Sequence, residues 1–163
     1  MTVTGGRAFT TCLWFDGRAE EAVDFYLSVF ERSSRGRVGR YTEAGPGPAG
    51  SVLAVEFTLN GQQFVAINGG PEFTFNEAVS FQVHCADQEE VDFYWDRLTA
   101  GGGRGVACGW LKDRFGVSWQ VVPDEVLEMI GDEDGERAAR TATAMYRMVK
   151  IDIAALREVF DGA

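Results

Sequence analysis

Four polar side chains sit in segments that alternate like β-strands, where they would share a face with few other groups. In residues 78–85 (AVSFQVHC), Val79, Phe81 and Val83 take one parity and Ser80, Gln82 and His84 the other. In residues 117–123 (VSWQVVP), Val117, Trp119 and Val121 oppose Ser118 and Gln120. In residues 51–59 (SVLAVEFTL), Leu53, Val55, Phe57 and Leu59 form the apolar set, leaving Ala54, Glu56 and Thr58 together. Asn68 closes a further run, residues 62–68 (QQFVAIN). A surface with Trp14, Phe64 and Trp110 as apolar walls and Glu56, Asn68, Gln82 and Gln120 as polar anchors has the make-up of a small-molecule site. The competing reading is that the aromatic residues fill the core and the polar ones hydrogen-bond one another. Glu56 is the one carboxylate expected inside. Burial there would raise its pKa and make it a candidate base, whereas an exposed position would make it ordinary.

Nucleophilic chemistry by cysteine requires a thiolate with a basic neighbour. Cys85 follows His84, the only histidine, but successive strand residues point to opposite faces, so the two should not form a pair. His84 reads as a capping or surface residue. Cys12, Cys85 and Cys108 contain no C-x-x-C pair and read as reduced thiols in a cytoplasmic protein.

The elements that must position these residues come in a regular order. Residues 9–15 (FTTCLWF) read as a strand ended by Asp16-Gly17, and residues 18–30 as a helix with Ala22, Val23, Phe25, Tyr26, Val29 and Phe30 on one stripe. Residues 36–41 are a weak strand, and 45–50 (GPGPAG) must be a loop. Asn60-Gly61 between the runs 51–59 and 62–68 predicts a hairpin. The order then restarts with strand 78–85 and a helix running to Leu98. Asp87 and Glu90 form a capping box at its start, and Gly101-Gly102-Gly103 stops it. Strands over 104–112 and 117–123 follow, joined by the turn 113–116. Residues 124–130, 136–148 and 152–160 read as three further helices. The helices of the two halves share Val-Asp-Phe-Tyr, at Val23-Asp24-Phe25-Tyr26 and Val91-Asp92-Phe93-Tyr94, at the same place in each unit, which marks an internal repeat.

Composition bounds the partners. The chain has 163 residues, 15 basic and 25 acidic, for a formal net charge of −10. Phosphate contacts need clustered Lys and Arg, so this balance argues against a nucleic-acid partner and against adhesion to an anionic membrane surface. No apolar run approaches the roughly 20 residues of a membrane helix. Residues 1–7 have neither the charge nor the apolar core of a signal peptide.

A duplicated βαβββ unit whose helix bears Asp-Phe-Tyr resembles the vicinal-oxygen-chelate (glyoxalase/bleomycin-resistance) superfamily. Residues 12–17 (CLWFDG), 68–71 (NGGP) and 108–120 (CGWLKDRFGVSWQ) are similar to its PhnB-like branch, often labelled 3-demethylubiquinone-9 3-methyltransferase, and the resemblance is expected to cover nearly the whole chain. It implies an α+β fold: a first βαβββ unit at 7–70 and a second at 71–123 form a curved mixed sheet, followed by a helical extension at 124–163. It also implies one small-molecule site enclosed by two concave faces, and a homodimer. Superfamily enzymes hold a divalent metal with His, Gln or Glu from the first and last strands of each unit. Carried over by the Asp-Phe-Tyr register, those positions fall near Thr10, Ala78, residues 66–68 and Gln120. Only Gln120 keeps a ligand type the superfamily uses, so no metal and no other cofactor is expected.

Methyltransferase activity is disfavoured because neither glycine cluster opens a helix after a strand, as a dinucleotide-type site requires. The expected function is therefore metal-free binding of a small aromatic or amphipathic molecule. A vicinal-oxygen-chelate enzyme (lyase, isomerase or dioxygenase-like) and a dimeric interaction module, joined through Met145, Met148, Ile153, Leu156 and Phe160, are the alternatives.

Overall fold

A computed structural model describes residues 9–162; the reading of residues 1–7, and the first two residues of the expected 7–70 unit, lie outside them. The chain forms two compact units, Met1–Thr74 and Phe75–Ala163.

The first unit runs β1 (Thr11–Phe15), α1 (Ala19–Val29), β2 (Ser33–Arg40), β3 (Val52–Leu59) and β4 (Gln62–Asn68). Its four-stranded sheet has the order β1-β4-β3-β2, with β1 and β4 parallel and the other pairs antiparallel. The Asn60-Gly61 turn forms as expected, with both residues at positive φ. The apolar stripe of α1 (Ala22, Val23, Phe25, Tyr26 and Val29) is buried against one face of the sheet. Tyr26 stacks on Phe57 (centroids 6.2 Å apart), and Phe57 stacks in turn on Phe64 (5.2 Å).

The second unit repeats the topology. β5 (Phe81–Cys85), α2 (Gln88–Thr99), β6 (Arg104–Gly105), β7 (Trp110–Lys112) and β8 (Ser118–Pro123) give a separate four-stranded sheet of order β5-β8-β7-β6. Again the first and last strands pair parallel. Val83, Leu111 and Val121 are buried on the side of Val91 and Leu98 from α2. Asp87 accepts from the Glu90 backbone N–H at 3.0 Å, and the Glu90 carboxylate reaches back one residue beyond the cap, to Ala86 N–H at 2.8 Å.

Three details depart from period-two reasoning. Leu53 is 37% exposed rather than core, because the β2–β3 register slips between Gly39 and Arg40, leaving Leu53 as the extra residue and Val52 buried in its place. Val79 is 69% exposed because β5 begins only at Phe81. The expected strand 104–112 is broken at residues 106–109, where Cys108 (φ 54°) and Gly109 (φ 78°) turn the chain.

The C-terminal helices are α3 (Asp124–Ile130), α4 (Gly135–Met145) and α5 (Ile153–Asp161). They pack on one another and, through α3, on β8. The linker before α5 joins the second unit through its backbone: Cys108 N–H donates to Met148 O (2.8 Å) and Gly109 N–H to Val149 O (2.9 Å). Gln88, at the start of α2, donates to Ile151 O (3.1 Å) and accepts from Ile153 N–H (3.0 Å), so one amide side chain serves the linker as a peptide group would.

Cys85 is fully buried, and desolvation pushes its thiol up to about 12. Cys12 is exposed. At pH 8 a thiol reagent is expected to label Cys12 first and to leave Cys85 unmodified until the protein unfolds; mass spectrometry of partly labelled protein checks the order.

Candidate functional site

The face of the second sheet turned away from α2 brings together three of the seven expected site residues. The register places Gln82, Gln120 and Trp110 side by side across β5, β8 and β7. Gln82 Nε2 donates to Gln120 Oε1 (3.2 Å), and Gln120 Nε2 donates to Ser80 Oγ (2.8 Å). This chain fixes the orientation of the Gln120 amide. Gln120 thus stands between the exposed Gln82 on β5 and the half-buried Trp110 on β7.

One row further along, Lys112 pairs in register with Ser118 and with Arg104. Its side chain is only 14% exposed, and its ammonium lies 2.6 Å from Glu77 Oε1. Hydrogen bonding to Lys112, with a smaller pull from Arg104, holds the Glu77 carboxyl below the usual range. Sequence reasoning passed over Lys112, although it shares parity with Trp110 on the same strand. At the other end of the face, His84 Nδ1 lies 2.7 Å from Asp124 Oδ1, both side chains largely exposed. His84 is thus a surface residue at the start of α3, and Cys85 points to the opposite, buried side.

The remaining expected residues lie in the first unit and do not share one face. Trp14 and Glu56 project away from α1. Trp14 lies over Gly69, where any Cβ would fall 2.2 Å from its ring. It donates to Gly70 O (2.9 Å) and packs edge-on against Phe73, with centroids 5.0 Å apart. Glu56 is not buried. Its side chain is 47% exposed and pairs with Arg37 at 2.9 Å, within the irregular β2–β3 register between Arg35 and Val38. The enclosure that would make it a base is missing.

Phe64 and Asn68 occupy the face opposite to the one expected, because β4 puts both in phase with Ala66 under α1. Phe64 is 4% exposed and belongs to the aromatic stack with Phe57. The polar groups of Asn68 are all engaged: Oδ1 accepts from Ala19 N–H (2.9 Å), Nδ2 donates to Val52 O (3.0 Å), and the backbone carbonyl accepts from Tyr41 Oη (2.7 Å). Asn68 therefore caps α1 from across the sheet, where Arg18 makes no side-chain cap. No local sequence signal reveals a cap contributed 49 residues away.

A divalent metal does not fit the positions that the superfamily uses. Thr10 is an exposed hydroxyl just before β1, Ala78 has no donor, Ala66 is buried, and Asn68 and Gln120 are committed to hydrogen bonds. Among the described residues no group of three or more His, Cys, Asp or Glu side chains is arranged to hold a metal ion. Nor is any described helix long and apolar enough to cross a membrane.

Comparison with known proteins agrees with this architecture. The family described as 3-demethylubiquinone-9 3-methyltransferase matches residues 7–122. A solved PhnB protein from Bacillus cereus bearing the same methyltransferase label is 40% identical, covering 72% of this chain and 99% of its own, with a TM-score of 0.65. A Pseudomonas aeruginosa protein is 18% identical over 72% of this chain and 98% of its own, with a TM-score of 0.56, a likeness of fold. Comparison with curated proteins found no match. The family match ends at Val122, so the expectation that the resemblance extends through the C-terminal helices is corrected: those helices are additional to the shared part. The chain belongs to the PhnB-like family described as 3-demethylubiquinone-9 3-methyltransferase, and has the duplicated βαβββ fold of the vicinal-oxygen-chelate superfamily.

Proposed function

We propose that this protein binds a small aromatic or amphipathic molecule, without a metal, on the face of the second sheet that carries Trp110, Gln82 and Gln120. The observation that carries this reading is the oriented amide chain Ser80–Gln120–Gln82 beside a half-buried tryptophan. An indole offers a flat apolar surface, and the amides offer fixed donors and acceptors that select among ligands presented to it. A cytoplasmic homodimer accords with the composition and the resemblance.

The family's methyltransferase description is not matched by a strand, Gly-rich turn and helix of the nucleotide-binding kind. β1 enters α1 through Asp16-Gly17-Arg18, and β5 enters α2 through Ala86-Asp87.

Protein purified without chelator is expected to carry less than stoichiometric metal. Bicyclic aromatic ligands are expected to raise its melting temperature. Trp110→Ala removes that shift, while Glu56→Gln, which changes only a solvent-exposed ion pair, retains it. Stoichiometric bound metal, or a ligand response that survives Trp110→Ala, would overturn the reading.

A further inference from the structure

The chain carries a formal charge of −10, yet the proposed binding face is locally cationic. Lys112 and Arg104 stand in register on β7 and β6, with Glu77 as their shared carboxylate. The two cations and the carboxylate differ in how firmly they are placed. The Lys112 stem is enclosed, leaving 14% of the side chain exposed, so its ammonium is fixed on the face occupied by Trp110 and Gln120. Glu77 belongs to the short turn 77–79, and its side chain is 56% exposed, so little opposes its moving aside. An enclosed cation paired with a loosely held surface glutamate can exchange that contact for a ligand's anion.

The spacing adds a size limit. Trp110 and Lys112 are two residues apart on one strand, about 7 Å between Cα atoms, and their side chains point the same way. A fused bicyclic ring resting on Trp110 and ending in a carboxylate spans that distance.

Building on the reading of this face as a ligand site, we propose that its ligand is an aromatic acid whose carboxylate replaces Glu77 on Lys112 while its ring lies on Trp110. Arg104 adds to the local positive field, and Gln120, in register with Trp110, flanks the ring. No bond is made or broken; the step exchanges one carboxylate for another on an ammonium group. It also gives Lys112 the role of sorting ligands by charge, since a neutral analogue gains the ring contact but leaves the Lys112–Glu77 pair intact.

The test pairs 2-naphthoate with 2-naphthamide, which differ in charge but hardly in shape, by titration calorimetry on the full chain. The wild-type protein is expected to bind the acid a few-fold more tightly than the amide, since the new carboxylate contact is offset by the Glu77 contact it displaces, with the preference shrinking as salt is added. Lys112→Met lowers the acid to the level of the amide and leaves the amide unchanged. Lys112→Arg keeps the preference. Glu77→Gln, which removes the competing carboxylate from an exposed turn and does not endanger folding, tightens the acid severalfold.

Equal binding of acid and amide by the wild type, or no gain in Glu77→Gln, overturns the inference. If that equal binding disappears in Trp110→Ala, the ligand-site reading survives. If neither probe binds, both fall.

Discussion

Replacing Asp113 by Ala is expected to lower the unfolding free energy by roughly 3 kcal/mol or more, since each buried donor left without its acceptor costs about 1–3 kcal/mol. Asp113 is 3% exposed and is the hub of the turn between β7 and β8. Its Oδ1 accepts from Phe115 N–H (2.8 Å) and Val117 N–H (3.0 Å), and its Oδ2 accepts from the Trp119 indole N–H (2.9 Å). The backbone adds a further closure, Asp113 N–H to Val117 O at 3.0 Å. An alanine leaves three donors facing a cavity lined by protein, so most of their desolvation cost remains. Asn is the informative control. It keeps an acceptor for the two backbone donors but presents an amide N–H₂ to the Trp119 indole, so its loss is smaller and centres on Trp119. Urea unfolding followed by tryptophan fluorescence measures both variants, and a loss below about 1 kcal/mol in Asp113→Ala would mean that water or a shifted turn supplies the missing acceptors.

The second large effect separates the two copies of the repeated tetrapeptide. Tyr26→Ala is expected to cost roughly 3–5 kcal/mol, as for other large buried aromatic residues, and Tyr94→Ala much less. Both tyrosines end the same tetrapeptide, but their surroundings differ. Tyr26 is completely buried, beside Phe25 and stacked on Phe57. Tyr94 is half-buried, and its neighbour Phe93 is 38% exposed with Arg97 over its ring. The aspartates diverge too. Asp24 is exposed on the surface, where it pairs with Arg35. Asp92 is held by Lys150 at 2.7 Å and by the Gln88 amide at 3.0 Å, which keep its carboxyl below the usual range. Melting temperatures of the two single variants test this directly; equal losses would contradict the burial difference.

The same contrast shows how much the sequence revealed. Elements with a strong local signal were legible: the Asn60-Gly61 hairpin, the capping box at Asp87, β4 over Gln62–Asn68 and α3 over Asp124–Ile130. The duplication was legible because topology follows the order of elements, and both units have that order. Side-chain direction was less legible. Phase counting fails where a bulge inserts one residue, as at Leu53. It also fails where the sheet face is assigned from residue type, as with Asn68, whose polar side chain lies under α1 because its amide finishes a helix start there. Of the expected site, the row Gln82, Gln120 and Trp110 was recoverable because all three belong to strands in regular register. Lys112 was missed because a charged residue on a short strand next to a turn reads as solvent-facing, and nothing local shows that its stem is enclosed. Long-range partners leave no mark on neighbouring residues.

The backbone pairing of Cys108 and Gly109 with Met148 and Val149, together with the Gln88 clamp on residues 151 and 153, bears on how the protein is made. As the chain leaves the ribosome, all four strands of the first sheet are present once Asn68 has emerged. The second sheet has all its strands by Pro123, yet two donors at its turn and the Gln88 amide oxygen still await partners some 25 to 30 residues further on. The first unit can therefore close during synthesis, whereas the second must hold an unfinished edge open until residues 148–153 arrive. That interval is when nascent chains of this protein would be most exposed to proteolysis and to chaperones, and a stall between residues 124 and 147 would release a chain with one finished half and one unfinished half.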